Sequence, residues 1–305
     1  MNKKQLDELL YCLSDEKSTY TYFKDKYCMF LFQQLIDGTI SVQDLKHSQY
    51  AQFCNKPMIK QWLAHYGSNQ IDAESLMALW QKEVYFFTLT FGQWGGEPPA
   101  WQQTCRKGHN LVLQLNFTKS HDRIYENTIE PGDEPFAYDS HPINKKRNTM
   151  AWSRLDFSED FSEVLIEEIQ NDWLREAHDA YTFLSNPKND SFYGYKLNKK
   201  LFDDYFMKLI KPMLSIWDEA ILCATLEFLA EDIGVKHVFY YDYTTGSHLK
   251  AIEKDYGPPK SLYTKLPKKF GFKQVKQAPQ FITEDRFSTK KLRKLKSPSW
   301  HYLAL

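Results

Sequence analysis

The 305-residue sequence predicts an α+β fold in which a helical N-terminal region precedes a mixed sheet flanked by helices. Three observations carry that expectation. Helical periodicity and capping signals run through the first 83 residues, β-branched and aromatic runs begin at residue 84, and strand and helix patterns alternate from there on.

Within the first region, LDELLYCL is a short amphipathic segment, and YFKDKYCMFLFQQLIDG is apolar-rich and stops at Gly38. Ser41 stands as an N-cap for SVQDLKHS. KPMIKQWLAHYG has Pro57 in its first turn and Gly67 where a helix ends, and Asp72 caps DAESLMALWQKE. VYFFTLTF (84–91) reads as a buried strand, and the glycines and prolines of GQWGGEPPAW mark a boundary. The expected organisation is a helical region over 1–92, an α+β core over 93–285 and a basic C-terminal tail over 286–305.

Within the core, HNLVLQLNF (109–117) alternates, with Asn110, Val112, Gln114 and Asn116 on one face and Leu111, Leu113, Leu115 and Phe117 on the other. That pattern predicts a sheet covered on one side. TMAWSRLDF (149–157) and EVLIEEIQ (163–170) form a hairpin across SEDFS. Helices follow in LNKKLFDDYFMKLIKPM and in IWDEAILCATLEFLAEDIG, which ends at Gly234. KHVFYYDY is a strand, PPKSLYTKLPKKFG a helix and FKQVKQAPQFI one or two short strands.

Composition narrows the function classes. Thirty-nine basic residues balance thirty-nine acidic ones, so no overall field recruits nucleic acid or an anionic membrane. No apolar run approaches the roughly 20 residues that span a bilayer, and Asp7 and Glu8 interrupt any signal-peptide core. Five scattered cysteines without a CxxC pair suggest neither a zinc knuckle nor a disulfide framework, which fits a soluble cytoplasmic protein. His109, His121, Asp122 and His141 share a loop-rich region with Cys105, but their spacing matches no metal motif, and no metal is expected. His121 and Asp122 also form a candidate catalytic pair. Alternate tyrosines of Tyr240, Tyr241 and Tyr243 read as core, and RFSTKKLRKLK as a solvated helix.

The unusual feature is VLIEEIQNDW, where Glu167 and Glu168 stand in succession in an apolar strand. A desolvated carboxylate needs a cation or hydrogen-bond donors. Arg154 on the preceding strand is the expected partner of Glu168, on the face that also carries Gln170. The other glutamate is left as a candidate base. Gln170 and Asp172 sit where the strand passes into a helix, and Asp172 is a candidate helix cap. These residues either line a site or form an architectural ion pair.

AWSRLDFSEDFSEVLIEEIQNDW resembles a segment of a family of bacterial and phage-associated proteins, W-x-R, a short hairpin, then L-x-I-E-E-I-Q-S-D-W. The resemblance extends to QTCRKGHNLVLQLNFTKSHDRIY, SHPI and PPKSLYTKLPKKFGF, and covers roughly residues 85–285; Asn171 replaces the usual Ser. It implies kinship with mobile-element proteins and no particular reaction. The order hairpin, strand, long helix (217–233), strand, helix, strand is similar to the C-terminal half of GNAT-type acyltransferases. That similarity implies a GNAT-like sheet, a Glu167 or Glu168 base and Tyr263 as the acid that protonates the departing thiolate. It also implies coenzyme A, yet the superfamily's Q/R-x-x-G-x-G/A loop is missing after Gln170 and residues 171–216 are inserted there. The alternative is a non-catalytic mobile-element interaction protein whose Arg–Glu pair is structural.

Overall fold

The computed structural model describes residues 1–13, 18–67, 69–96, 102–252 and 257–305. The protein is a mixed α/β chain with a large mixed sheet and flanking helices. Its strands are β1 (Ser18–Tyr22), β2 (Thr39–Ser41), β3 (Gln70–Asp72), β4 (Tyr85–Gly95), β5 (His109–Asn116) and β6 (Thr149–Phe157). They continue with β7 (Glu163–Gln170), β8 (Ser191–Phe192), β9 (Tyr195–Lys196), β10 (His237–Tyr241), β11 (Lys273–Val275) and β12 (Trp300–Ala304). The chain divides into two compact units: Met1–Thr21 with Phe86–Phe157 and Ile166–Thr225, and Tyr22–Tyr85 with Ser158–Leu165 and Leu226–Leu305.

In the first unit the strand order is β1-β4-β5-β6-β7. The β4–β5 and β5–β6 ladders are antiparallel, and directly opposed residues share a face. Thr88, Thr90 and Trp94 therefore lie beside Asn116, Gln114 and Asn110, while Val112 and Gln114 lie beside Arg154 and Trp152. The alternation expected of β5 is present, but the polar face is buried as completely as the apolar one: Asn110, Gln114 and Asn116 are all at most 3% exposed. Buried amides call for hydrogen bonds: Gln114 and Asn116 make them, whereas Asn110 Oδ1 has no partner among the described residues. Gln114 accepts from Thr90 Oγ1 at 2.7 Å and donates to the Pro142 carbonyl at 2.7 Å. Asn116 donates to Thr90 Oγ1 and accepts from Thr149 Oγ1, each at 2.7 Å. On the other face, Ser153 bonds Thr225 of helix Trp217–Phe228 at 2.8 Å.

The second unit holds the order β10-β12-β11, both ladders antiparallel, and the two-stranded β2–β3. Its caps follow the sequence signals. Ser41 Oγ accepts from Asp44 N at 3.0 Å, and Asp72 Oδ1 accepts from Ser75 N at 2.8 Å, although the segment Glu74–Leu79 winds as a 3₁₀ helix. Gly67 and Gly234 take the positive φ that ends a helix with little strain, and Gly38 takes it in the bend between helix Lys26–Leu35 and β2.

Three parts of the expected organisation change. Residues 1–92 are not purely helical, because STYTY and the short β2 and β3 are strands; alternating Tyr20 and Tyr22 give β1 its buried face. Of the GQWGGEPPAW boundary, residues 92–95 continue β4, and 97–101 lie outside the described residues. Residues 286–305 are more than a tail: they form helix Arg286–Leu292 and β12, whose Trp300 is fully buried. The basic run hid a five-residue aromatic strand behind it. The hairpin β6–β7, the helix from 217, β10, the helical turns of 260–269 and β11 follow in the expected order. No helix among the described residues is long and apolar enough to cross a membrane.

Candidate functional site

Both strand glutamates are closed off, and both connect to the segment 102–106, Glu167 directly and Glu168 through Arg154. Arg154, 1% exposed, donates through Nη2 to Glu168 Oε2 and to the Gln103 carbonyl at 3.1 Å, and through Nη1 to the Gln102 carbonyl at 2.8 Å. Its guanidinium carbon lies 5.1 Å from the Trp94 ring centroid, a cation–π contact in a desolvated setting. Glu167, fully buried, accepts from the Cys105 amide at 3.1 Å. Asp156 binds Arg106 at 2.6 and 2.8 Å, and the Met1 α-amine at 2.6 Å. Arg154 thus pairs with Glu168 as expected, but neither glutamate lines the large cavity described below.

Cys105, Asp156 and Glu167 present ligand atoms within 4.8 Å of one another, a spacing that would suit a metal ion. The charges argue for another role. Arg106 and the Met1 amine both pair with Asp156, and a metal would have to displace both cations from it. The set fits an architectural clamp in which β6 and β7 fasten residues 102–106.

A cavity of about 600 Å³ opens where β7 gives way to helix Trp173–Leu184. Asp122, His141, Asp172 and Trp173 line it, with Lys145, Lys146 and Arg147. Asp172 is 2% exposed and is the centre of a convergent set. Its Oδ2 takes His141 Nδ1 at 2.9 Å and Trp152 Nε1 at 3.2 Å, and its Oδ1 takes Gln170 Nε2 and Arg175 Nη2, each at 3.0 Å. The expected side-chain cap of the helix is absent. The carboxylate serves side chains instead.

The His141 side chain is 25% exposed. An aspartate on Nδ1 fixes the neutral ring with its proton there, so Nε2 carries the lone pair and can accept a proton. The SHPI turn that carries it closes through Ile143 N to the His141 carbonyl at 2.8 Å and is tied to the polar face of β5 by Gln114. Asn144 continues that network to Thr90 and Gln114, which seats Lys145–Arg147 beside the cavity.

His121 and Asp122 are together but serve different places. Asp122 lines the cavity, whereas the His121 ring is 5% exposed and stacked on Phe117 at 3.6 Å. Tyr205 Oη accepts from Trp173 Nε1 at 2.9 Å. The Asp122 carboxylate accepts the His121 Nδ1 proton at 3.2 Å, so Nε2 takes the Tyr205 hydroxyl proton at 2.9 Å. Burial, opposed by Asp122, lowers the His121 pKa. A lowered folded-state pKa means that the unfolded chain binds the extra proton more readily. Stability is therefore complete above about pH 6.5, the ordinary value, and falls as pH drops below it. His121→Gln is expected to flatten this acid limb in melting temperatures measured from pH 8 to 5; an unchanged limb would remove His121 as its source.

Tyr263, the expected acid, belongs to the second unit, is 2% exposed, and offers its carbonyl to His301 Nε2 at 2.8 Å. It is not among the residues lining the cavity. His141 is the residue that sequence reasoning undervalued. It lies 31 positions from Asp172, and no motif spacing links them. Comparison with protein-family models, curated proteins and solved structures finds no match to this chain.

Proposed function

We propose that the protein is a group-transfer enzyme in which His141, oriented by Asp172, is the general base for an amine acceptor bound in the 600 Å³ cavity. The observation that carries this reading is the histidine–aspartate pair facing that cavity at the carboxyl end of a sheet strand. Acyl transfer is the favoured reaction because the order of elements from β6 to β11 follows the GNAT-like pattern. The amine nitrogen attacks the acyl carbon of a thioester, its proton passes to His141 Nε2, the carbon–sulfur bond breaks, and the imidazolium returns the proton to sulfur. Acidic Asp122, Glu126 and Glu134 and basic Lys145, Lys146 and Arg147 all line the cavity, which suits an acceptor bearing charges of both signs.

The pyrophosphate of coenzyme A does not fit this chain's β7–helix junction. The helix begins at Trp173 without a glycine loop, and the Asp172 carboxylate stands at its N-terminus, where an anion would be repelled. Donors without a pyrophosphate should therefore serve as well. The test supplies S-acetylpantetheine and acetyl-coenzyme A with a panel of amino acids and polyamines and follows thiol release. His141-dependent turnover with the shorter donor at least equal is expected; turnover unchanged in His141→Gln, or none with any donor, would sink the reading. The alternative, a phage-associated interaction protein without catalysis, draws its support from the closed Arg154–Glu168 pair.

A further inference from the structure

We infer that residues 257–305 form a cationic surface that binds the phosphate backbone of nucleic acid. The neutral total of the chain conceals a strong asymmetry: this stretch holds twelve Lys and Arg against only Glu284 and Asp285. Lys260, Lys265, Lys268, Lys290, Arg293 and Lys294 are all exposed. Leaving Lys269 and Lys291 aside, none of the twelve forms an ion pair among the described residues. Ordinary solvated faces mix both signs, so a net charge near +10, with ten of its twelve cations outside any ion pair among the described residues, calls for a polyanion.

The basic residues are gathered rather than spread. Helix Tyr243–Leu249 touches both segments: Lys260 Nζ lies 5.3 Å over the Tyr243 ring at one end, and Lys291 Nζ donates to the Leu249 carbonyl at the other. Seven helical residues span about 10 Å, so the two contact points are close enough for one polyanion to reach both. Duplex DNA offers one charge per about 1.7 Å of axis, and a single strand offers regularly repeated phosphates. An anionic membrane is disfavoured because surface-lying segments need apolar anchors, and none of the exposed large hydrophobic residues falls within 257–305. The inference is independent of His141 and stands whether or not the transferase reading does.

The test measures fluorescence anisotropy of a labelled 20-nucleotide single strand and a 20-base-pair duplex with the full chain. Expected dissociation constants are about 1–100 μM at 50 mM salt, weakening at least about 10-fold at 200 mM. Substituting Lys290, Arg293, Lys294 and Lys296 with Gln should weaken binding about 10-fold or more and reduce the salt slope by about 3. The same change at exposed Lys188, Lys196, Lys200 and Lys211, outside the patch, should alter it less than about 2-fold, with circular dichroism confirming both folds. Three results would overturn the inference: no binding at 50 μM protein, equal losses in the two variants, or patch-dependent binding to phosphatidylserine vesicles without binding to either oligonucleotide.

Discussion

Arg154→Met is expected to destabilise the protein by about 3–5 kcal/mol, the cost of leaving a buried carboxylate without its cation. Methionine keeps much of the stem's packing, so the loss reports the guanidinium rather than a cavity. Glu168, 6% exposed, would lose its cation, and the Gln102 and Gln103 carbonyls would lose their donors. Glu168→Gln should cost less, about 3 kcal/mol or below, because Arg154 keeps both carbonyls and the amide oxygen still accepts. The double variant Arg154→Met/Glu168→Met removes both charges together and should recover a large part of the single loss. Urea titration of the wild type, Arg154→Met, Glu168→Met and the double variant gives the cycle; additive losses would show that the pair is uncoupled.

Asp172→Asn should lower kcat about 10²–10⁴-fold, nearly as much as His141→Gln, although the histidine is intact. An asparagine amide can present N–H to Nδ1, which moves the ring proton to Nε2 and removes the acceptor that faces the cavity. The donor–acceptor switch predicts a fall in kcat with KM little changed. Glu167→Gln is the control: Glu167 does not line the cavity, so activity should survive it. If Glu167→Gln abolishes activity while Asp172→Asn spares it, the base belongs on the strand and not on the SHPI turn.

The elements around the site were largely legible because they depend on local chemistry. Caps at Ser41 and Asp72, the β6–β7 hairpin and the partnership of Arg154 with Glu168 follow from spacing, turn length and the cost of a lone buried charge. The site itself was less so. Gln114 and Asn116 alternate with leucines as a solvent-facing row would, and only the structure shows Pro142, Thr90 and Thr149 arriving to bury them. His141 becomes notable only when a turn from one part of the chain is laid against the end of β7. β12 was missed because WHYLA is short and follows a run of lysines, so charge dominated the reading of its surroundings.

The interleaving of the two units has a consequence for synthesis. The first unit draws on Met1–Thr21, Phe86–Phe157 and Ile166–Thr225, so its first stretch leaves the ribosome well before its partners. The Met1 carbonyl accepts from the His109 amide, whose codon comes roughly 90 residues after β1 begins. At about 5–20 residues per second, that opening stretch waits several seconds for the strand it docks on. Buried Leu6 must stay shielded from aggregation meanwhile. Slowing translation between β1 and β5 should thus lower the soluble yield more than slowing it after residue 226.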